Sequence, residues 1–133
     1  MSDFDYHVVA LIPPDPRFDI EAVIETLSLQ GYKAERAERL GSLGFRVVED
    51  DGWGITAWLE ADDEAREHNK ILSERDVPEG ATPGQIAACP AQLSIWSDDD
   101  SDMMNAHVFE EFIQFLKARF GCFLFDNRLG EWR

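Results

Sequence analysis

Residues 45–60 read Phe45-Arg46-Val47-Val48-Glu49-Asp50-Asp51-Gly52-Trp53-Gly54-Ile55-Thr56-Ala57-Trp58-Leu59-Glu60. Two apolar runs, Phe45 to Glu49 and Ile55 to Glu60, flank an Asp-Gly pair. Asp-Gly supplies the positive φ that a tight turn between antiparallel strands requires. The segment is predicted to be a β-hairpin, and a hairpin commits the fold to at least one antiparallel strand pair.

Toward the N-terminus, Tyr6-His7-Val8-Val9-Ala10-Leu11-Ile12 is almost continuously apolar and stops at Pro13-Pro14. That pattern predicts a central strand buried on both faces. Asp19 then caps a predicted helix whose apolar positions Ile20, Val23, Ile24 and Leu27 follow helical spacing, and Gly31 ends it. Between Gly31 and Gly41, the charged run Lys33 to Leu40 is ambiguous: its Ala, Glu and Arg favour helix, while its short length and flanking glycines favour an irregular connection or, the reading preferred here, an edge strand.

Toward the C-terminus, a charged surface helix is predicted from Asp62 or Asp63 to Arg75, with Ala65, His68, Ile71 and Leu72 as its inner stripe. Thr82-Pro83-Gly84-Gln85 combines a capping box with proline at the first helical position and predicts a short turn of helix through Ala88. Gln92 to Trp96 alternates as a half-buried strand and leads into the acidic loop Ser97-Asp98-Asp99-Asp100-Ser101-Asp102. Two apolar rows, Val108, Phe112 and Phe115 beside Phe109, Ile113, Leu116 and Phe120, mark a final helix that Gly121 ends. Cys122 to Phe125 reads as a last core strand, and the following turn is predicted to fold Trp132 back onto the sheet for packing. These elements predict one α+β domain over residues 1–133: a ferredoxin-like two-layer sandwich, with a mostly antiparallel sheet and helices packed on it.

With 44% hydrophobic residues, nine Phe and four Trp, the chain has the means to fold despite a net charge of −15. The acidity is spread along the chain: residues up to Glu60 carry 5 basic and 12 acidic side chains, the remainder 7 and 15. Such a field repels phosphate backbones, which disfavours direct binding of nucleic acid or an anionic membrane, and it steers cationic partners inward. The N-terminal Met1-Ser2-Asp3-Phe4-Asp5 has neither the basic nor the apolar part of a secretory signal, and no apolar run reaches the length of a membrane span. Cys89 and Cys122 lack metal-ligand or redox spacing and are expected to be reduced, buried thiols. The expected location is the cytoplasm.

No catalytic or cofactor motif emerges. Asp98, Asp99, Asp100 and Asp102 resemble a calcium loop in composition only, since position six is Met103 and position twelve is Phe109, where a glycine and a glutamate are needed. His7, His68 and His107 show no metal spacing, and no nucleophile elbow or phosphate-binding glycine loop is present. No metal and no cofactor are expected, and an enzymatic role is disfavoured.

The sharper signal is a repeated pairing of Trp with an acid two positions on: Trp58 with Glu60, and Trp96 with Asp98. On a strand, such pairs share a face, opposite Ile55, Ala57 and Leu59 on one strand and Leu93 and Ile95 on the other. If the two strands are neighbours, Trp58, Glu60, Trp96 and the Asp98, Asp99, Asp100, Asp102 loop form a surface for a basic protein. Its aromatics would supply rigid contact area and its carboxylates would meet Arg and Lys. The competing reading covers both tryptophans with a helix or the tail.

Trp96 leading into Ser97-Asp98-Asp99-Asp100, the Phe-rich helix, and a closing Phe123-Leu124-Phe125-Asp126 with Gly130-Glu131-Trp132 resemble bacterial immunity proteins of polymorphic toxin systems, mainly over residues 91–133. The resemblance implies an inhibitor that neutralises a cognate basic toxin or nuclease by binding it, without catalysis. The alternative is a small-molecule-binding or regulatory domain with a pocket between its layers, followed by a small metal-dependent hydrolase.

Overall fold

The elements run β1 (His7–Ile12), α1 (Ile20–Leu29), β2 (Lys33–Arg39), β3 (Ser42–Val48), β4 (Gly54–Glu60), α2 (Asp63–Ser73), α3 (Pro83–Ala87), β5 (Ala91–Ser97), α4 (Ala106–Phe120), β6 (Phe123–Asp126) and β7 (Glu131–Trp132) in this computed structural model. The structure describes residues 5–14 and 18–133; residues 1–4, on which the secretory-signal reading rests, and residues 15–17 lie outside the described residues.

Seven strands form one sheet in the order β2-β3-β4-β5-β1-β6-β7, and every neighbouring pair is antiparallel. The predicted hairpin is β3–β4, with Gly52 at φ +90° in its turn. The Lys33 segment is indeed the edge strand β2. At the other edge, Asp126 Oδ1 accepts from the backbone N–H groups of Arg128 and Leu129 at 2.9 and 3.0 Å. That turn returns the chain as β7, where Trp132 packs edge-on against Phe125.

The predicted caps are present. Asp19 accepts from Ala22 N–H, Thr82 and Gln85 form the reciprocal capping box of α3, and Gly121 closes α4 in the left-handed conformation at φ +69°. None of the described helices is long and apolar enough to cross a membrane.

One sheet face carries the main core. Val8, Ala10 and Ile12 of β1, Phe45 and Val47 of β3, Ile55 and Ala57 of β4, Leu93 and Ile95 of β5 and Leu124 of β6 meet α1 and α4 through Val23, Leu27, Phe112, Ile113 and Leu116. Each fully buried Leu, Ile or Phe here contributes about 1.5–3 kcal/mol of transfer free energy. The opposite face holds a smaller cluster, Val9 and Leu11 of β1 and Phe125 of β6, against Leu72 of α2, Ile86 of α3 and Cys89.

The α+β class and the antiparallel sheet agree with expectation, whereas the ferredoxin-like two-layer sandwich does not describe this seven-stranded sheet. Helices lie on both faces around β1 and β6, because both sides of β1 are apolar and each needs cover. The inner stripe of α2 also differs from expectation. Asn69 is fully buried and Ile71 is 52% exposed. Asn69 replaces the isoleucine because its Nδ2 donates to the carbonyls of Cys89 and Ala91 at 3.0 and 3.3 Å, tying α2 to the entry of β5.

Leu11→Ala tests the second layer: it should lower the unfolding free energy by about 2–5 kcal/mol in urea titration, whereas a loss under about 1 kcal/mol would mean that this face of β1 is open to solvent.

Candidate protein-binding face

The second layer covers only part of the sheet. Register places Thr56, Trp58 and Glu60 of β4 beside Trp96, Ser94 and Gln92 of β5, on the same side as Gly44 and Arg46 of β3 and His7 of β1. The apolar cluster with α2 and α3 forms over Val9, Leu11 and Phe125 and includes none of these residues. Trp58 and Trp96, half-buried on paired strands, are therefore diagonal neighbours on a stretch of sheet outside that cluster, where Gln92 and Ser94 of β5 are buried.

Two glycines shape this surface. A β-carbon on Gly44 would lie 2.1 Å from the Ala57 carbonyl oxygen and 2.8 Å from Trp58 Cε3, so glycine allows the indole to lie over the neighbouring strand. A β-carbon on Gly54 would meet the Arg46 guanidinium at 2.6 Å. In the space left by Gly54, Arg46 donates from Nη1 and Nη2 to the two carboxylate oxygens of Asp98 at 3.2 and 2.7 Å, and from Nη1 to Thr56 Oγ1 at 3.0 Å. Asp98 Oδ2 also accepts from Gly54 N–H at 2.9 Å.

The predicted acidic loop thus divides by role. Asp98 is neutralised within the chain by a two-point pairing with Arg46. Asp100 is 2% exposed, which removes it from the surface. Its carboxylate accepts from Tyr6 Oη at 2.6 Å and from Asn105 N–H at 3.1 Å, and so satisfies the start of α4, where Asn105 gives no side-chain cap. Burial, reinforced by Asp100, pushes the Tyr6 phenol up to about 12, so it remains a donor at neutral pH. The Asp99 carbonyl accepts from Trp53 Nε1 at 3.0 Å, and Asp102 accepts from Met104 N–H at 3.3 Å. Asp99 and Asp102 are exposed, at the end of the sheet away from Glu60. Glu60 and Asp98 flank the tryptophans about 20 Å apart along the strands.

The acids beside Glu60 come instead from the first turns of α2. One trough of about 240 Å³ is lined by Arg39, Leu40, Ser42, Trp58, Glu60, Ser94 and Trp96. It shares Ser42 and Glu60 with a second, of about 400 Å³, that adds Asp62, Glu64, His68 and Gln92. Gln92 Nε2 donates to Glu60 at 2.9 Å, and its side-chain oxygen lies 3.2 Å from His68 Nδ1. The run Glu60-Ala61-Asp62-Asp63-Glu64 is visible in the sequence, but its helical half reads first as a favourable interaction with the N-terminus of α2. Among the described residues, no group of three or more His, Cys, Asp or Glu side chains is placed to hold a metal.

His7 forms the far rim. Its imidazole stacks on Trp96 with centroids 3.5 Å apart and planes 11° from parallel. Its Nε2 lies 3.2 Å from Ser94 Oγ, which also accepts from Trp96 Nε1 at 3.1 Å. Comparison with known proteins gives no match: no family model fits the chain, and no curated protein or solved structure is similar to it.

Burial holds His7 below its ordinary 6.5, with His68 acting in the same direction and Asp5 and Asp126 opposing. Below pH 6.5 the unfolded chain binds a proton that the folded imidazole resists, so this contribution is complete above 6.5 and declines as pH falls toward the folded value. Urea midpoints for the wild type should therefore drop more between about pH 7 and pH 5.5 than those of His7→Phe, which keeps a ring on Trp96 without titrating. Parallel profiles for the two proteins would contradict this assignment.

Proposed function

We propose that the chain is a protein-binding module that docks a basic partner on the bare part of its sheet and acts as an immunity-type inhibitor of a cationic toxin or nuclease. The observation that carries this reading is the pair Trp58 and Trp96, diagonal neighbours on paired strands and outside the apolar cluster that α2 and α3 form, with Glu60 lining their trough and Asp62 and Glu64 lining the adjoining one.

Two kinds of contribution combine on this surface. A docked Trp buries about 150–250 Å² with little rotamer entropy to lose, which is why Trp is enriched among residues worth about 2 kcal/mol or more at interfaces. The carboxylates pair with Arg or Lys of the partner, and the net charge of −15 raises the association rate by long-range steering. In a nuclease these carboxylates would occupy positions meant for phosphates. The trough is open-sided, whereas a small-molecule site encloses most of its ligand, so the shape favours a protein occupant. Within the acidic loop, the pairing of Asp98 and the burial of Asp100 shift the weight of the site toward Glu60, Asp62 and Glu64.

Copurification from the native host, together with a pull-down against the product of the adjacent upstream gene, tests the reading. A complex that weakens as salt rises is expected. Trp58→Ala should lower its affinity about tenfold or more, and Glu60→Lys should cost several-fold. Glu25→Lys makes the same charge change on an exposed position of α1, across the sheet, and should cost much less. Equal effects of the two charge reversals would show that only net charge matters and would contradict docking on this face; absence of any salt-sensitive complex would remove the inhibitor reading.

A further inference from the structure

The sheet ends at β2 in a regular strand whose outer edge has no neighbour in the strand order. Unpaired edges are templates for further pairing, and charge is the usual protection against it. The edge here reads Lys33-Ala34-Glu35-Arg36-Ala37-Glu38-Arg39, with all five charged residues exposed and both alanines half-buried. The order of its charges carries more information than their number.

A two-fold axis that pairs two copies of one strand antiparallel stands perpendicular to the sheet, so facing residues share a side and their numbers sum to an even value. Centring the pair on Glu35, Arg36 or Glu38 sets that residue against its own copy, and like charges directly opposite destabilise a sheet. Centring on Ala34 leaves only Lys33 to Glu35 in overlap.

Centring on Ala37 overlaps Glu35 to Arg39 and gives opposite charges throughout. Glu35 faces Arg39 of the second copy on the Trp58 side, Arg36 faces Glu38 of the second copy on the α1 side, and the symmetry repeats both. The axis itself passes between two alanines.

We infer that two copies of this chain pair through β2, antiparallel about Ala37, into a continuous fourteen-stranded sheet (two sheets of seven). The intrachain contacts do not compete strongly. Arg36 pairs with Glu21 and Glu38 at 2.9 and 2.8 Å, but these groups are 49–65% exposed, and such pairs are worth little. Among the described residues, Glu35 and Arg39 have no ion-pair partner within the chain. Mutual repulsion of two acidic chains is screened beyond about 8 Å at physiological salt. The dimer would place both bare faces on the same side of the joined sheet, so the molecule would present two Trp58–Trp96 surfaces in one direction.

Sedimentation of the full chain at about 0.15 M salt, over concentrations up to about 0.5 mM as suits a small interface, tests this without any partner protein. The wild type should dimerise within this range. Glu35→Arg and Arg39→Glu, each creating two like-charge pairs, should each raise the dissociation constant about tenfold or more, and the double exchange E35R/R39E should restore it. Unchanged circular dichroism would confirm that these exposed substitutions leave the fold intact. A wild type that stays monomeric, a dimer indifferent to the single variants, or a double exchange that does not recover would each overturn the inference.

Discussion

The double burial of β1 is the constraint on which the rest depends. Its alternate residues enter two separate apolar clusters, and its edges are hydrogen-bonded to β5 and β6. A strand apolar on both sides cannot leave either side to water, so the fold needs a helix layer on each. The layer formed by α1 and α4 spans the sheet from β3 to β6. The other is built from α2 and the single turn α3, too little material to do the same, and it serves β1, β6 and the first part of β5, which Asn69 and His68 reach. The bare face over β3, β4 and β5 follows from that shortage.

A bare sheet face would ordinarily be polar throughout, and here it is not. Trp58 and Trp96 lie on it, and glycines at 44 and 54 are required for the flat approach of Trp58 and for the reach of Arg46. The charge arrangement has the same economy. The Asp98–Arg46 pair closes one end of the face electrostatically, while at the other end Glu60, Asp62 and Glu64 outnumber Arg39. A surface with an aromatic centre and one mainly acidic end has a direction, and on the proposed docking that direction would orient a cationic partner.

Much of the fold was legible because its signals are local. Asp51-Gly52 marked the hairpin, Asp19 and Thr82 the helix starts, Gly121 the end of α4, and a two-residue spacing put Trp58 and Glu60 on one side of a strand. What escaped depends on contacts distant in sequence. Arg46 reaches Asp98 across β4 over 52 residues, and Tyr6 reaches Asp100 over 94, so four loop carboxylates that look equivalent in sequence have unequal roles. Asn69 reads as a polar residue beside an apolar Ile71, yet it is the one turned inward, because two carbonyls at the entry of β5 need a donor. The second helix layer was implied by the unbroken run from Tyr6 to Ile12, and the two-layer expectation gave that run too little weight.

Trp58 and Trp96 are half-buried on the face outside the second apolar cluster, whereas Trp53, 9% exposed, belongs to the core. Nuclear magnetic resonance of the tryptophan rings in the presence of a soluble paramagnetic chelate measures this directly. Strong relaxation of the Trp58 and Trp96 ring protons with little effect on Trp53 is the predicted result. Equal protection of all three rings would mean that the face is covered and closed to a partner.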